Sequence, residues 1–264
     1  MLLAINVGNS RISVGIFDNC GNISAKFKVS TDIHKTSDEY CVLLRSIITQ
    51  SEINVNEIDA AIVSSVVPQL SKTISDTVYK LCGIKSIFVG PGVKTGFPIR
   101  IDNPSELGGD IVANAAASLE LLKNSSELSA VVVDMNTVTT VSAINAKGEF
   151  VGCYICPGIR MSFDSMHGNT AQLPNVSFSA PKHLIGKNSQ DSVRSGVILG
   201  NAIMLDGFVY HIAKEMKRKA DDLNLIITGE YAEYVIDTCN HKFTYDEDLT
   251  IKGLYCIYRN NIKQ

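Results

Sequence analysis

Two periodicities divide this chain. From residue 4 to 17, Ala4-Ile5-Asn6-Val7 forms a short apolar strand and Gly8-Asn9-Ser10 a turn of small polar residues. Ile12, Val14 and Ile16 then alternate with polar or small neighbours in a second strand. Gly21-Asn22 marks a turn, and residues 24–29 a third strand. Helical spacing follows over 38–48 (Tyr40, Val42-Leu43-Leu44, Ile47-Ile48), then a buried strand over 60–67 halted by Pro68, a helix over 70–81 and a strand over 86–89. Residues 99–103 are extended, and Pro104 stands near the start of a helix that runs to 122.

After the polar stretch 123–129 (KNSSELS) the pattern begins again. Val131-Val132-Val133-Asp134-Met135-Asn136-Thr137-Val138-Thr139-Thr140-Val141 is a strand, a small polar turn and a β-branched strand. A Lys147-Gly148 turn, a strand over 150–155, and Pro157-Gly158 opening a helix come next. The spacing predicts a long helix over 198–219, a strand over 223–228, a tight turn at Gly229-Glu230, and helices over 231–238 and 249–258. Laying Asn6 on Asp134 also lays Gly8 on Asn136 and Asn9 on Thr137. Two related domains are therefore expected, residues 1–122 and 123–264, facing each other across a nucleotide. The fold class is α/β with mixed sheets covered by helices. The repeated strand–strand–strand–helix order is that of the two-domain actin/hexokinase/Hsp70-type ATPase fold, a pair of ribonuclease H-like domains.

Composition narrows the function classes. Of 264 residues, 45% are hydrophobic and 19% charged, the make-up of a soluble globular protein. A net charge of -3 gives no general attraction to nucleic acid or anionic membrane. The basic cluster over 214–219 reads as a solvated helix end. No uninterrupted apolar run approaches the ~20 residues that span a bilayer, and no basic segment precedes the first apolar run. Seven cysteines, an odd count scattered through apolar segments, suit free thiols in a reducing cytoplasm. Cys153 and Cys156 lie three apart in a strand and so point to opposite faces, which disfavours a metal pair.

Several stretches bear on chemistry. Turns such as residues 8–10 and 136–137 can direct backbone N–H groups at a phosphate chain. Gly90-Pro91-Gly92-Val93-Lys94-Thr95-Gly96 is no P-loop, because Val93 stands where that motif needs glycine and no helix follows. Gly108 and Gly109 let another molecule come close to Asp110. Helix-dipole complementarity also accounts for an aspartate in a first turn.

The chain resembles the type III pantothenate kinases, the Bvg accessory factor family. The resemblance is carried by Pro91-Gly92-Val93-Lys94-Thr95-Gly96 with Pro98-Ile99-Arg100 and Asp102-Asn103-Pro104, by Cys156-Pro157-Gly158-Ile159-Arg160, and by Ile185-Gly186-Lys187-Asn188-Ser189 with Ser195-Gly196. Leu205-Asp206-Gly207 and Leu249-Thr250-Ile251-Lys252-Gly253-Leu254 add to it. It implies a homodimeric enzyme that moves the ATP γ-phosphoryl group onto pantothenate, the first step toward coenzyme A, with Mg²⁺ and a monovalent cation (K⁺ or NH₄⁺). It further implies that Asn6, Gly8, Asn9, Ser10 and Ser13 form the first phosphate loop, with Asn6 a weak Mg²⁺ contact through water. Thr137 and the adenosine-side Gly229 would contact ATP, and Asp134 would hold the monovalent cation. Asp110 would be the base, and Ile101, Gly108, Gly109, Ile111 and Ser189 would line the pantothenate site near the dimer interface.

This chain departs from the family at functional positions. Asn6 replaces an Asp, which removes a charge worth at most about 4 kcal/mol at ~4 Å with an effective dielectric near 20. Asn136 replaces a Gly and is expected to crowd the phosphates. Ile101 replaces a Tyr, Glu230 a Gly, and Ser189 a Thr. Ile111 replaces an Arg, a charge-assisted contact of roughly 1.5–3 kcal/mol. Asn169 and Gln172 stand for basic residues. Three readings stay open: a working pantothenate kinase, a kinase of another small hydroxy compound, and a non-catalytic paralogue that binds a metabolite or partner.

Overall fold

A computed structural model describes residues 1–179 and 181–262, in two compact units. The first comprises residues 1–96, 102–120 and 248–264, and the second residues 97–101 and 121–247.

In the first unit, β1 (Leu2–Val7) pairs antiparallel with β2 (Arg11–Phe17), and β2 with β3 (Ile23–Ser30). α1 (Ser37–Gln50) leads to β4 (Ala60–Ser65), which lies parallel to β1 on its other side. α2 (Pro68–Cys82) then leads to the short β5 (Ile87–Phe88), giving the order β3-β2-β1-β4-β5. The sheet is mixed, as the opening meander requires. Pro68 does not simply halt β4. It occupies the first turn of α2, where its missing N–H costs nothing.

Register divides this sheet into two faces. Leu3, Ile5 and Val7 lie beside Ile16, Val14 and Ile12, and pack with Tyr40, Leu44 and Ile48 of α1 and Leu70, Ile74 and Val78 of α2. Leu2, Ala4 and Asn6 point the other way, beside Phe17, Gly15 and Ser13. On that side Tyr255 stacks on Phe17 at 4.7 Å, and a Cβ on Gly15 would overlap Ile251. Those two residues belong to the last helix, which therefore joins the first unit rather than a domain beginning at residue 123. It packs on α3 (Gly109–Leu122) through Gly253, where a Cβ would overlap the carbonyl of Ala113. Thr250 Oγ1 donates to Asn114 Oδ1 at 2.7 Å, and Arg259 pairs with Glu120 at 3.0 Å.

The second unit repeats the topology. β6 (Ala130–Met135) pairs antiparallel with β7 (Val138–Ile144), and β7 with β8 (Phe150–Pro157). α4 (Ile159–Gly168) and α5 (Ser189–Glu215) follow, then β9 (Asn224–Thr228) parallel to β6, and a two-residue β10 (Thr244–Tyr245). The order β8-β7-β6-β9-β10 matches β3-β2-β1-β4-β5 strand for strand. Ile99 bridges to Phe150 and Arg100 N–H donates to the Phe150 carbonyl at 2.8 Å, so residues 97–101 belong with this sheet. After residue 247 the chain forms the last helix, α6 (Leu249–Ile262).

Local differences from the sequence expectations have physical causes. α5 starts at Ser189, not 198, because the Asn188 side chain caps it by accepting from the Asp191 N–H at 2.9 Å. By length and composition alone α5 could cross a membrane. Val193, Val197, Leu205 and Val209 instead bury its apolar face in the core of this unit. Residues 231–238 form two single 3-10 turns rather than a helix, and Pro104–Glu106 is a 3-10 turn ahead of α3. All seven cysteines are free thiols, and burial raises those of Cys153 and Cys156.

Candidate active site

The first unit builds one cluster at the carboxyl ends of β1 and β4. Asn6 lies between Ser13 on β2 and Ser64 on β4 in direct register, so the three share one face of the sheet. The turn beyond Asn6 is closed by Gly8 N–H donating to the Arg11 carbonyl at 2.9 Å. Thr31 Oγ1 donates to the Gly8 carbonyl at 2.7 Å, leaving Asn9 and Ser10 exposed. Among the described residues, Asn6 Oδ1 and Ser64 Oγ are buried with no hydrogen-bond partner. Two neighbouring buried polar atoms without partners are unusual in a native core.

α3 begins directly over this row. A Cβ on Gly109 would sit 2.7 Å from Ser64 Oγ, and one on Gly108 would sit 2.6 Å from Asp110 Oδ1. Gly109 thus lies close against Ser64, and Gly108 against Asp110. Asp110 is half-buried and accepts the Ile111 N–H at 2.8 Å. Burial raises its carboxyl above the ordinary range, outweighing the backbone hydrogen bonds that lower it. Ile111 itself is buried and touches the carboxylate through its N–H. Ser64 was missed in the sequence, where a serine pair ending an apolar strand was its only signal.

The second unit builds a related cluster. Asp134, buried on β6, lies between Thr140 on β7 and Thr228 on β9, just as Asn6 lies between Ser13 and Ser64. The equivalence of Asn6 and Asp134 thus holds in register. The second turn is one residue shorter, so the pairing drifts beyond Asn136. Asn136 Nδ2 donates to Asp134 Oδ1 at 2.5 Å, and Asn136 Oδ1 accepts the Glu230 N–H at 3.1 Å. This side chain folds back onto the protein. Its backbone needs no left-handed conformation, since Glu52 and Lys217 are the described non-glycine residues with positive φ.

Two glycines hold this turn in place. Gly229 has φ of 103°, and a Cβ there would approach the Met135 backbone to 2.5 Å. A Cβ on Gly158, the N-cap of α4, would overlap the Asn136 and Thr137 carbonyls. Gly229 and Glu230 are thus brought against the β6–β7 turn. Ser189, at the exposed start of α5, and the half-buried Ile101 take no part in the Asp134–Asn136–Glu230 chain of bonds. Asn169 ends α4, its side chain donating to the Ser165 carbonyl at 2.9 Å, and Gln172 is exposed.

The family model for type III pantothenate kinase matches residues 2–211. The type III pantothenate kinase of Myxococcus xanthus is 36% identical over 261 residues, covering 99% of each chain. That of Anaeromyxobacter sp. strain K is 36% identical over 261 residues, covering 99% of this chain and all of that one. This chain belongs to the type III pantothenate kinase family. Its fold is also that of more distant structures. The activator of 2-hydroxyisocaproyl-CoA dehydratase from Clostridium difficile, solved with bound ADPNP, superposes with a TM-score of 0.57 at 10% identity, covering 100% of this chain and 98% of that one. The ROK hexokinase of Thermus thermophilus gives 0.52 at 11%, covering 98% and 99%. The actin/hexokinase-type architecture expected from the repeated strand order is therefore the one this family member has.

Proposed function

We propose that this chain transfers the γ-phosphoryl group of ATP to the hydroxyl of pantothenate. Asp110 carries the reading. It is a half-buried carboxylate with a raised proton affinity, held beside two glycines at the start of a helix. Phosphoryl transfer asks a protein mainly for positioning and charge stabilisation. A carboxylate in reach of the attacking hydroxyl then accepts its proton, and raised basicity suits that task.

The other roles follow the family pattern residue by residue. Gly8, Asn9, Ser10 and Ser13 bind phosphate in the first turn, Thr137 in the second, and Gly229 approaches the adenosine. Ile101, Gly108, Gly109, Ile111 and Ser189 take the pantothenate. Mg²⁺ would neutralise developing charge on the phosphate oxygens. Asn6 fits that ion through its water shell, since its buried Oδ1 is an acceptor without a donor. At Asp134 a monovalent cation would compete with the Asn136 amide, which already donates to Oδ1.

A homodimer agrees with the exposed apolar residues of the second unit. Val151 and Ile155 stand exposed on β8, at the end of its sheet, and Ile203 and Tyr210 stand out from α5. The deciding experiment is ADP formation with pantothenate, ATP and Mg²⁺, with Asp110→Asn as control. Turnover that disappears in the variant supports the proposal. A folded, dimeric wild-type chain that turns over no pantoyl compound would favour the non-catalytic reading.

A further inference from the structure

We propose that the Asn136 carboxamide, rather than a monovalent cation, is the partner of the Asp134 carboxylate, so that nucleotide binding by this chain is independent of potassium. The inference rests on the kinase reading and concerns the same site. Asp134 is 6% exposed, and a carboxylate so buried needs a donor or a cation beside it. Asn136 Nδ2 supplies a donor at 2.5 Å, the length of a strong charge-assisted bond.

The amide cannot readily give way to an ion. Its oxygen accepts the Glu230 N–H at 3.1 Å while its nitrogen faces the carboxylate. A donor at one end and an acceptor at the other fix the amide in one orientation, because flipping it sets like against like at both ends. The Glu230 N–H is itself held in place. Tyr231 N–H donates to the Met135 carbonyl at 3.0 Å, and only glycine at 229 lets the chain cross Met135 so closely. A cation approaching Asp134 Oδ1 would have to displace the amide, which is held at both ends. A glycine at 136 has no side chain with which to close the carboxylate off.

The test is calorimetric titration of MgATP into this chain in potassium chloride and in choline chloride at equal ionic strength. Wild-type dissociation constants in the two salts should agree within about twofold. Asn136→Gly takes the amide away from Asp134 Oδ1, and Asn136→Asp sets a second carboxylate beside it. Each variant should bind MgATP roughly tenfold more weakly in choline than in potassium, the size of effect a single charge-assisted contact carries. In the absence of nucleotide, potassium should raise the melting temperature of both variants and leave the wild type unchanged. A purely structural role for Asn136 would lower stability equally in both salts, and that outcome overturns the proposal. So does a wild-type affinity that rises about tenfold with potassium. The kinase reading survives either result, since nucleotide still binds. Failure of the wild type to bind MgATP in either salt overturns both.

Discussion

Asn6→Asp tests the reading of the first cluster most severely. In the nucleotide-free protein the Asn6 Oδ1 is buried and meets no donor. A carboxylate there loses its hydration without compensation, a penalty of at least about 1–3 kcal/mol for a buried unsatisfied group. At roughly 2–4 °C per kcal/mol for a chain of this size, the melting temperature at neutral pH should fall by about 2–12 °C. Burial also raises the new carboxyl above its unfolded value. The deficit is then fully present at neutral pH and shrinks as pH falls through that raised value toward the unfolded one. Nucleotide reverses the sign. With Mg²⁺ the restored charge attracts the hydrated ion by up to about 4 kcal/mol at ~4 Å and a dielectric near 20, and water screening leaves an expected gain of ten- to a hundred-fold in MgATP affinity. With ATP and a chelator the same carboxylate repels the phosphates, so affinity drops below wild type. Melting curves and calorimetry, each with and without Mg²⁺, measure all three quantities. An unchanged melting temperature without nucleotide would mean that Asn6 Oδ1 is not an open acceptor. Equal shifts in affinity with and without Mg²⁺ would place the ion elsewhere.

Asp110→Asn should lower turnover by roughly 10²–10⁴-fold, the span of general-base contributions. Because burial raises the native carboxyl, ionisation of Asp110 costs stability as pH rises from the unfolded value through the native one. The variant should therefore melt no lower than wild type at neutral pH, with any advantage vanishing in acid, and a lower melting temperature at neutral pH would show the carboxylate to be a stabilising contact instead. For the same reason the acid limb of wild-type kcat/KM should lie above the ordinary carboxylate range. Gly253→Ala forces a methyl group into the Ala113 carbonyl, and urea unfolding should show a loss of roughly 1–3 kcal/mol. An unchanged urea midpoint would mean that α6 does not pack closely on α3.

What the sequence made legible was whatever is encoded by local period and by repetition. The central strands β1 and β6 read as apolar runs because both are covered on both faces, and the strand order repeated once the two turns were aligned. Long-range contact was not legible. α6 was seen as a helix, but its place in the first unit depends on Gly253 meeting Ala113, a match between positions far apart in the chain. The first turns of α5 are hidden in the sequence because Asp191 and Ser195 break its apolar period, yet both are buried and bonded, Asp191 to Arg194 at 3.2 Å and Ser195 to the His183 carbonyl at 2.8 Å. Ser64 escaped notice because an orphaned hydroxyl is a property of its surroundings.

The two asparagine departures share a chemistry and have opposite consequences, which position alone decides. Asn6 sits on the strand, where the amide replaces a charge and leaves a buried oxygen open to a ligand's donor. Asn136 sits in the turn two residues beyond the register-equivalent Asp134, where the amide adds a donor to one oxygen of that carboxylate. The first unit thus carries a neutral amide where the second carries a carboxylate, and that carboxylate takes a donor from within the protein. Both changes reduce the demand for cations. A chain without catalysis would not be expected to hold Asp110 in a site that raises its basicity. The pattern suits a kinase shifted toward weaker cation dependence. That account fails if Asn6→Asp and Asn136→Gly, alone or combined, leave the Mg²⁺ and potassium dependence of nucleotide binding as it is in the wild type.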